Sequence, residues 1–284
     1  MFTAKLQTFS ESADGSRSAG RVAALRRDLA RLGLAGFIVP RADEHQGEYV
    51  AASDERLAWL TGFTGSAGAA VVLADRAALF VDGRYTEQAR AQTDPAVFEA
   101  VASQETGIGQ WLAGAAQKGA AIGYDPALHT PGEIERLGKA LGPAGIGLKA
   151  VDNPIDALWN DRPAPPAGKV SLHPAKFSGD TAAAKIRRVQ KALADDRLAG
   201  LVVTDPHAVA WLFNIRGRDV QYTPLPLSYA YVPSEGRPSL FIAPVKLPDA
   251  VARSLGRIAD VARPGELEAR VKAAAADGRR IRLD

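Results

Sequence analysis

The sequence predicts an α/β protein with two domains, each built from a mixed β-sheet flanked by helices. Three observations support this prediction. Segments of the first half of the chain recur in the second half in the same order, at offsets of 152 to 164 residues. Each half opens with an amphipathic helical pattern followed by a short apolar strand pattern. A polar, proline-rich stretch, NDRPAPPAGK at 160–169, separates the halves and is a poor helix former. The predicted domains are therefore 1–163 and 164–284.

The recurring segments indicate an old duplication, because their spacing is far longer than that of a tandem array of short repeats. After Asp125 the first copy continues to the proline-rich stretch, whereas the second copy ends at Asp284. The second domain is thus expected to be truncated at its C-terminal end. In the first copy the segments are GFIV (36–39), AWLTGF (58–63), AVV (70–72), ALFV (78–81) and AIGYD (121–125); in the second they are GLVV (200–203), AWLFNI (210–215), AYV (230–232), SLFI (239–242) and RIRLD (280–284).

The first element of each copy is an amphipathic helix. Apolar residues recur at helical spacing in the first copy, and the same pattern appears in the second. Glycine follows each helix and an apolar strand follows the glycine, at 37–39 and at 201–203. The helical stripes consist of Val22, Leu25, Leu29 and Leu32 in the first copy and of Ile186, Val189 and Leu193 in the second.

The next elements of the first copy are a short helix, a hairpin and a further helix. The polar run SDER at 53–56 predicts a helix N-terminus with a side-chain cap. The apolar runs 69–73 and 77–81 predict two strands joined by a tight turn, apolar enough to be central in a sheet. Residues 86–93 predict a helix.

Composition narrows the class of protein. The chain has 46% hydrophobic and 24% charged residues, typical of a soluble globular protein. Its 35 Lys and Arg against 32 Asp and Glu give a net charge of +3, and the cations are scattered, so no nucleic-acid partner is expected. The absence of cysteine excludes disulfides and thiolate metal sites. Residues 1–10 show no apolar signal core, and no run of 18 apolar residues predicts a membrane span.

Two loops contain residue types found in active sites, but in spacings that argue against one. The loop GFTGSAG at 62–68 follows a helix and precedes a strand, the reverse of a dinucleotide-binding loop. It also lacks the glycine that a nucleophile elbow needs two residues before Ser66. Tight turning or close packing is the favoured interpretation. The loop DEHQGEY at 43–49 collects Asp, Glu and His without a metal-ligand spacing, so no metal site is predicted there.

Two further polar segments carry candidate residues. Arg84, in the turn DGRY at 82–85, is either a surface ion-pair partner or a guanidinium presented to a carboxylate or peptide carbonyl. The second copy has APVK at 243–246 in this place, so any such role belongs to the first copy. In the loop 213–226, Arg216 and Asp219 are expected to lock the loop or a domain interface and not to contact substrate.

The motifs DEHQGEY, GFTGSAG, DGRY and NIRGRDV (214–220), in this order, resemble the non-catalytic N-terminal half of the three-domain Xaa-Pro aminopeptidases. That family, also called aminopeptidase P, belongs to the creatinase and methionine-aminopeptidase superfamily, peptidase family M24. The resemblance covers nearly the whole chain. It implies two tandem creatinase N-terminal-like domains, followed in the family by a pita-bread catalytic domain that is absent here.

The resemblance also implies a function. Family members are cytoplasmic, commonly dimeric metallo-exopeptidases that remove an N-terminal residue preceding proline, with two metal ions, usually manganese, in the catalytic domain. This chain would bind no metal and be inactive alone. It would limit access to the cleft, support dimerisation and contact the Xaa-Pro peptide through Arg84, positioned by Asp82, Gly83 and Tyr85. The alternatives are a catalytically inactive peptide- or protein-binding module of the same superfamily and, more remotely, a dinucleotide-binding enzyme.

Overall fold

The computed structural model describes residues 13–284, apart from the side chain of Asp277, and divides them into two compact units. Residues up to Glu44 and Asp54–Pro163 form the first unit, and His45–Ser53 and Ala164–Asp284 form the second. Residues 1–10, for which no signal core is expected, lie outside the described residues. Among residues 13–284, no helix has the length and apolar character that crossing a membrane requires.

The first unit is a six-stranded mixed sheet with helices on both faces, ordered β4-β3-β2-β1-β5-β6. Strands β1, β2 and β3 pair antiparallel, and the remaining neighbours pair parallel. The predicted hairpin is confirmed, and its strands are central in the sheet. The strands are β1 Gly36–Pro40, β2 Gly68–Leu73, β3 Ala77–Val81, β4 Glu99–Ala102, β5 Ala121–Tyr124 and β6 Gly147–Ala150; the helices are α1 Ser18–Arg31, α2 Arg56–Thr61, α3 Thr86–Gln92, α4 Ile108–Ala115, α5 Pro131–Leu141 and α6 Pro154–Leu158.

Alternation along β1 divides the apolar side chains of this unit between two cores. Phe37 and Val39 face the core that contains Val22, Leu25 and Leu29 of α1, as predicted from their spacing. The prediction was wrong for Leu32, which follows the end of α1 and is 44% exposed. Ile38 faces the opposite core, where Leu112 of α4 and Leu141 of α5 cover the sheet. The strand is therefore apolar throughout because both of its faces are buried.

The second unit repeats this topology with a five-stranded sheet ordered β12-β11-β10-β8-β13. Strand β8 pairs antiparallel with β10 and parallel with β13, as β1 does with β2 and β5. In the first unit β6 lies beyond β5, whereas in the second β13 is the edge strand. The elements are β7 Ser171–Leu172, α7 Ala175–Ser178, α8 Ala182–Asp195, β8 Gly200–Val203, α9 Pro206–Phe213, β9 Ile215–Arg216, β10 Tyr229–Pro233, β11 Ser239–Phe241, α10 Asp249–Leu255, β12 Asp260–Ala262, α11 Leu267–Ala274 and β13 Ile281–Leu283.

The segment His45–Ser53 packs with the second unit through its aromatic residues. The ring of His45 stacks on Tyr229 with centroids 4.5 Å apart, and its Nδ1 lies 2.9 Å from the carbonyl oxygen of Thr204. Tyr49 meets the edge of Tyr222 at 6.0 Å. The polar motif that begins at Asp43 thus supplies packing contacts within this unit.

The start of α2 differs from the expectation of a side-chain cap. Residues Ala52–Asp54 form a separate 3-10 turn, and α2 begins at Arg56 with no side-chain cap hydrogen bond. The acidic side chains are engaged by arginines instead. Asp54 accepts from Arg56 at 3.1 Å, and Glu55 lies 3.4 Å from Arg41. Charge-assisted hydrogen bonds to guanidinium groups are stronger than neutral ones, so these acidic side chains bind arginines and do not cap the helix.

Arg56 also joins α2 to α6 through a partly buried ion-pair network. Its Nε and Nη2 donate to the two carboxylate oxygens of Asp156, at 2.6 and 3.0 Å. Arg162 contacts the same carboxylate at 2.9 Å. Burial raises the pKa of Asp156, but the hydrogen bond and charge of Arg56, with help from Arg162, outweigh it, so the pKa is lowered overall.

Candidate functional site

The turn that follows β3 presents Arg84. Asp82 ends the strand in an extended conformation and caps the 3-10 turn Gly83–Tyr85. Its Oδ1 accepts both the backbone N–H of Arg84, at 2.9 Å, and the side-chain Nε of Arg84, at 2.8 Å. One carboxylate oxygen therefore fixes the backbone and the guanidinium of the same residue.

The Arg84 side chain is 70% exposed although its Nε is held. The hydrogen bond from the Arg84 side chain, followed by that from its backbone N–H, lowers the pKa of Asp82. The carboxylate therefore stays ionised at neutral pH and keeps the guanidinium in place. Holding the Nε edge orients the plane of the guanidinium, which is the arrangement that suits recognition of a carboxylate or carbonyl.

Tyr85 anchors the turn to the glycine-rich loop. Its hydroxyl lies 2.6 Å from Oγ of Ser66, and its ring meets the edge of Phe63 at 5.9 Å. Arg41 donates to the carbonyl oxygen of Ser66 at 3.2 Å. The guanidinium carbon of Arg84 stands 5.4 Å from the centre of the Tyr85 ring. Tyr85 thus connects the arginine turn to a buried part of the unit.

The surroundings of Gly83 leave room for a side chain at this position. A Cβ at this position would meet the side chain of Gln104 at 3.6 Å, an ordinary contact, and its φ lies outside the left-handed region. The hydrogen bonds of Asp82 and the packing of Tyr85 account for the turn without it.

The glycine-rich loop itself serves packing, which confirms the structural interpretation of its sequence. Gly62 has φ +84° at the C-terminus of α2, and a Cβ there would lie 2.7 Å from the backbone nitrogen of Gly15. At Gly65 a Cβ would lie 2.2 Å from the ring of Phe63. Both positions need glycine because neighbouring groups occupy the space of a side chain.

The second unit makes the same turn with different residues. After β11 the chain forms the 3-10 turn Pro244–Lys246, as it forms Gly83–Tyr85 after β3. The position matching Arg84 holds Val245, which is 58% exposed. No side chain caps this second turn. An arginine is therefore not needed for a turn of this kind to fold, although Asp82 caps the turn of the first unit.

Lys246, the last residue of the second turn, is buried and locks the loop that precedes β10. Its Nζ lies 2.6 Å from Oδ2 of Asp219. The same carboxylate accepts backbone N–H groups from Leu227 at 2.7 Å and from Gly168 at 3.2 Å. The prediction that Asp219 locks this loop is confirmed, but its lysine partner was not anticipated because a lysine in a polar segment ordinarily points to solvent.

No metal-binding cluster is present in the described part of the chain. Among residues 13–284, excluding the side chain of Asp277, no three His, Asp or Glu side chains lie close enough to hold a metal ion. The described residues include the acidic loop at 43–49. The donor groups described here therefore do not fit a metal centre, and no chemistry of this chain is derived from one.

Comparison with known proteins gives a family for each of the two units. One family model, described as the Creatinase/Prolidase N-terminal domain, matches residues 21–158, and a second with the same description matches residues 161–284. The chain belongs to the creatinase/prolidase N-terminal domain family. Its two copies of this domain confirm the expected family and the expected α/β fold.

Curated relatives of this creatinase-type chain are named as peptidases. Probable Xaa-Pro aminopeptidase P from Coccidioides posadasii (strain C735) is 36% identical over 260 residues, covering 90% of this chain and 40% of the relative. The protein of the same name from Pyrenophora teres f. teres is 39% identical over 241 residues, covering 83% and 36%. The chain thus spans about two fifths of the length of these relatives.

A solved structure resembles both units of this chain. X-prolyl aminopeptidase from Caenorhabditis elegans, described as a cytosolic enzyme with a di-nuclear active site, is 29% identical with a TM-score of 0.84. The match covers 94% of this chain and 46% of that enzyme. The match therefore extends over the fold of both units and leaves more than half of that enzyme unmatched.

Proposed function

We propose that this chain is the non-catalytic N-terminal region of a metal-dependent Xaa-Pro aminopeptidase and that Arg84 contacts the peptide substrate. The names of the relatives support the activity of the longer protein. The contrast between the two units supports the role of Arg84, because an exposed arginine is held by Asp82 where the equivalent turn carries only Val245.

In this proposal Arg84 donates to a carboxylate or carbonyl oxygen of the bound peptide. Asp82 and Tyr85 position it, and Gly83 completes the turn. The reaction itself, hydrolysis of the bond between an N-terminal residue and proline, belongs to a further domain with two divalent metal ions, which we take to be manganese. The proposal also assigns this region a part in limiting access to the cleft and in dimerisation of a cytoplasmic enzyme.

The test uses the coding sequence that is contiguous with this chain, expressed as one protein with added Mn²⁺. Hydrolysis of an Xaa-Pro peptide is expected from that protein and not from the 284-residue chain alone. Release of the first residue by the chain alone would refute the assignment of catalysis elsewhere. Inactivity of both with a peptide bound to each would favour the binding module.

The role of Arg84 is tested in the active protein by Arg84→Gln. A charge-assisted hydrogen bond contributes about 1.5–3 kcal/mol, so kcat/KM is expected to fall about 10- to 100-fold. The control is Arg90→Gln in α3, another exposed arginine with a neighbouring acidic partner, Glu87. Equal kcat/KM for the Arg84 variant and the wild type would remove Arg84 from the site.

A further inference from the structure

A cleft of about 410 Å³ lies within the second unit. It opens between the end of the proline-rich segment and the loop that precedes β10. Its volume is within the range of small-ligand sites. The residues that line it are Lys169, Ser171, Arg216, Gly217, Arg218, Val220, Tyr222, Thr223 and Pro224.

The walls of this cleft are fixed by backbone pairing. Ser171 of β7 pairs with Arg216 of β9 in a two-stranded antiparallel ribbon. The far end of the loop is closed by a bridge between Val220 and Thr223 and by the hydrogen bond from Gly217 N to Pro224 O at 3.2 Å. Backbone hydrogen bonds therefore constrain both walls.

Asp219, which does not line the cleft, joins the segments that do. Its carboxylate accepts the backbone N–H of Gly168, next to Lys169, and that of Leu227. A Cβ on Gly168 would lie 2.9 Å from Asp219 Oδ1, and one on Gly217 would lie 2.5 Å from Pro226 N. Close packing of this kind joins the walls into a rigid frame.

The lining carries three positive side chains and no carboxylate. Lys169 donates to the carbonyl oxygen of Val245 at 2.6 Å, and Arg216 donates to that of Ile215 at 2.8 Å. Carbonyl oxygens are neutral and leave these charges uncompensated. Asp219, the acidic residue of the loop 213–226, is buried and paired with Lys246. The lining residues therefore concentrate positive charge.

We propose that this cleft binds the phosphate group of a small ligand. Phosphate carries a charge of about −1.5 to −2 near pH 7, so it compensates three cations better than a single carboxylate does. The guanidinium groups of Arg216 and Arg218 offer paired donors to its oxygens. Ser171 adds a hydroxyl donor, whereas the hydroxyl of Thr223 donates to the carbonyl oxygen of Gln221 at 3.3 Å. The remaining volume is bounded by Val220, Pro224 and the exposed ring of Tyr222, which suit an organic group on the phosphate.

The test is a titration of the full chain with inorganic phosphate, followed by amide chemical shifts at low ionic strength. Saturable shifts are expected in residues 168–172 and 215–224. Affinity is expected to fall at least tenfold in Arg216→Gln and in Arg218→Gln. The matched control is Arg253→Gln, an exposed arginine of α10 in the same unit that does not line the cleft, which is expected to bind within twofold of the wild type.

Two further titrations distinguish a phosphate ester from free phosphate, and phosphate from a carboxylate. Tighter binding of phenyl phosphate, lost in Tyr222→Ala, would identify a phosphate ester as the ligand, and equal binding would identify free phosphate. Acetate at matched ionic strength is expected to bind at least tenfold more weakly. Equal binding of acetate, equal losses in the Arg253 variant, or no saturable shift with phosphate would each overturn the proposal.

Discussion

The buried pair of Lys246 and Asp219 allows a sharp test of how burial changes the value of an ion pair. The two atoms are 2.6 Å apart, and the side chains are 6% and 0% exposed. A pair of similar length, Lys272 with Glu268, joins side chains that are 75% and 78% exposed on α11. Both pairs join a lysine to a carboxylate within the second unit, and they differ in how far water reaches the side chains.

The perturbation is lysine to methionine at each position. Lys246→Met leaves the Asp219 carboxylate buried with only two backbone donors, which is expected to lower the free energy of unfolding by about 3–5 kcal/mol. Lys272→Met removes an exposed pair within one helix, and about 0.5 kcal/mol or less is expected. Methionine preserves most of the length and apolar volume of lysine, so the difference reports the charge together with the hydrogen bond that Lys246 Nζ donates to the carbonyl oxygen of Leu227 at 3.1 Å.

The assay must follow the second unit by itself, because a chain of two units does not unfold in one transition. Hydrogen exchange of peptides that contain β8 and β10, measured across a urea series, supplies a local midpoint and slope. The double variant Lys246→Met with Asp219→Asn is expected to recover about 2 kcal/mol, since the amide oxygen still accepts a backbone N–H while the buried charge is gone. A Lys246 variant within about 1 kcal/mol of the Lys272 variant would refute the reasoning.

Three further predictions concern the first unit. Gly62→Ala is expected to destabilise it by about 2 kcal/mol or more, because φ is +84° and backbone lies 2.7 Å from the new Cβ, whereas Gly20→Ala within α1 is expected to stabilise it by about 0.5–1 kcal/mol; hydrogen exchange of peptides that contain β1 and β2, measured across a urea series for both variants, decides. Asp156→Asn is expected to cost about 1–2 kcal/mol near pH 7 through its bonds to Arg56, and this cost is expected to shrink as the pH falls through a folded-state pKa that is lowered from its usual value; a cost that stays the same as the pH falls would contradict the assignment. Tyr85→Phe is expected to cost about 1 kcal/mol by removing one hydrogen bond, seen as a lower urea midpoint; an unchanged midpoint would contradict it.

Elements with a strong apolar period were predictable from the sequence. The stripe of α1, the hairpin of β2 and β3, and the return of the same order in the second half all depend on short-range spacing, which sequence displays directly. The expected side-chain cap in the run 53–56 was wrong because the acidic side chains there bind arginines, among them Arg162, which is distant in sequence. Spacing alone carries no information on such partners.

The candidate residues were predictable only in part. Arg84 stood out as a charged residue in a turn next to a buried strand, and the structure adds that Asp82 holds it. The cleft of the second unit was not predicted, because its three cations come from two segments about 50 residues apart that read as linker and loop. The pairing of β7 with β9 and the hydrogen bond from Gly168 to Asp219 bring these segments together.

The order of strands in each sheet also determines when, during synthesis, each strand edge can pair with its partner. Strand β8 pairs on one side with β10 and on the other with β13, which is made about 80 residues later. Until β13 is made, the edge of β8 (Gly200–Val203) that faces away from β10 has no partner strand. This apolar edge can then pair with another nascent chain. The first unit faces the same interval between β1 and β5. Slow translation between these strands would prolong the exposure, so aggregation during expression should depend on the codons between β8 and β13.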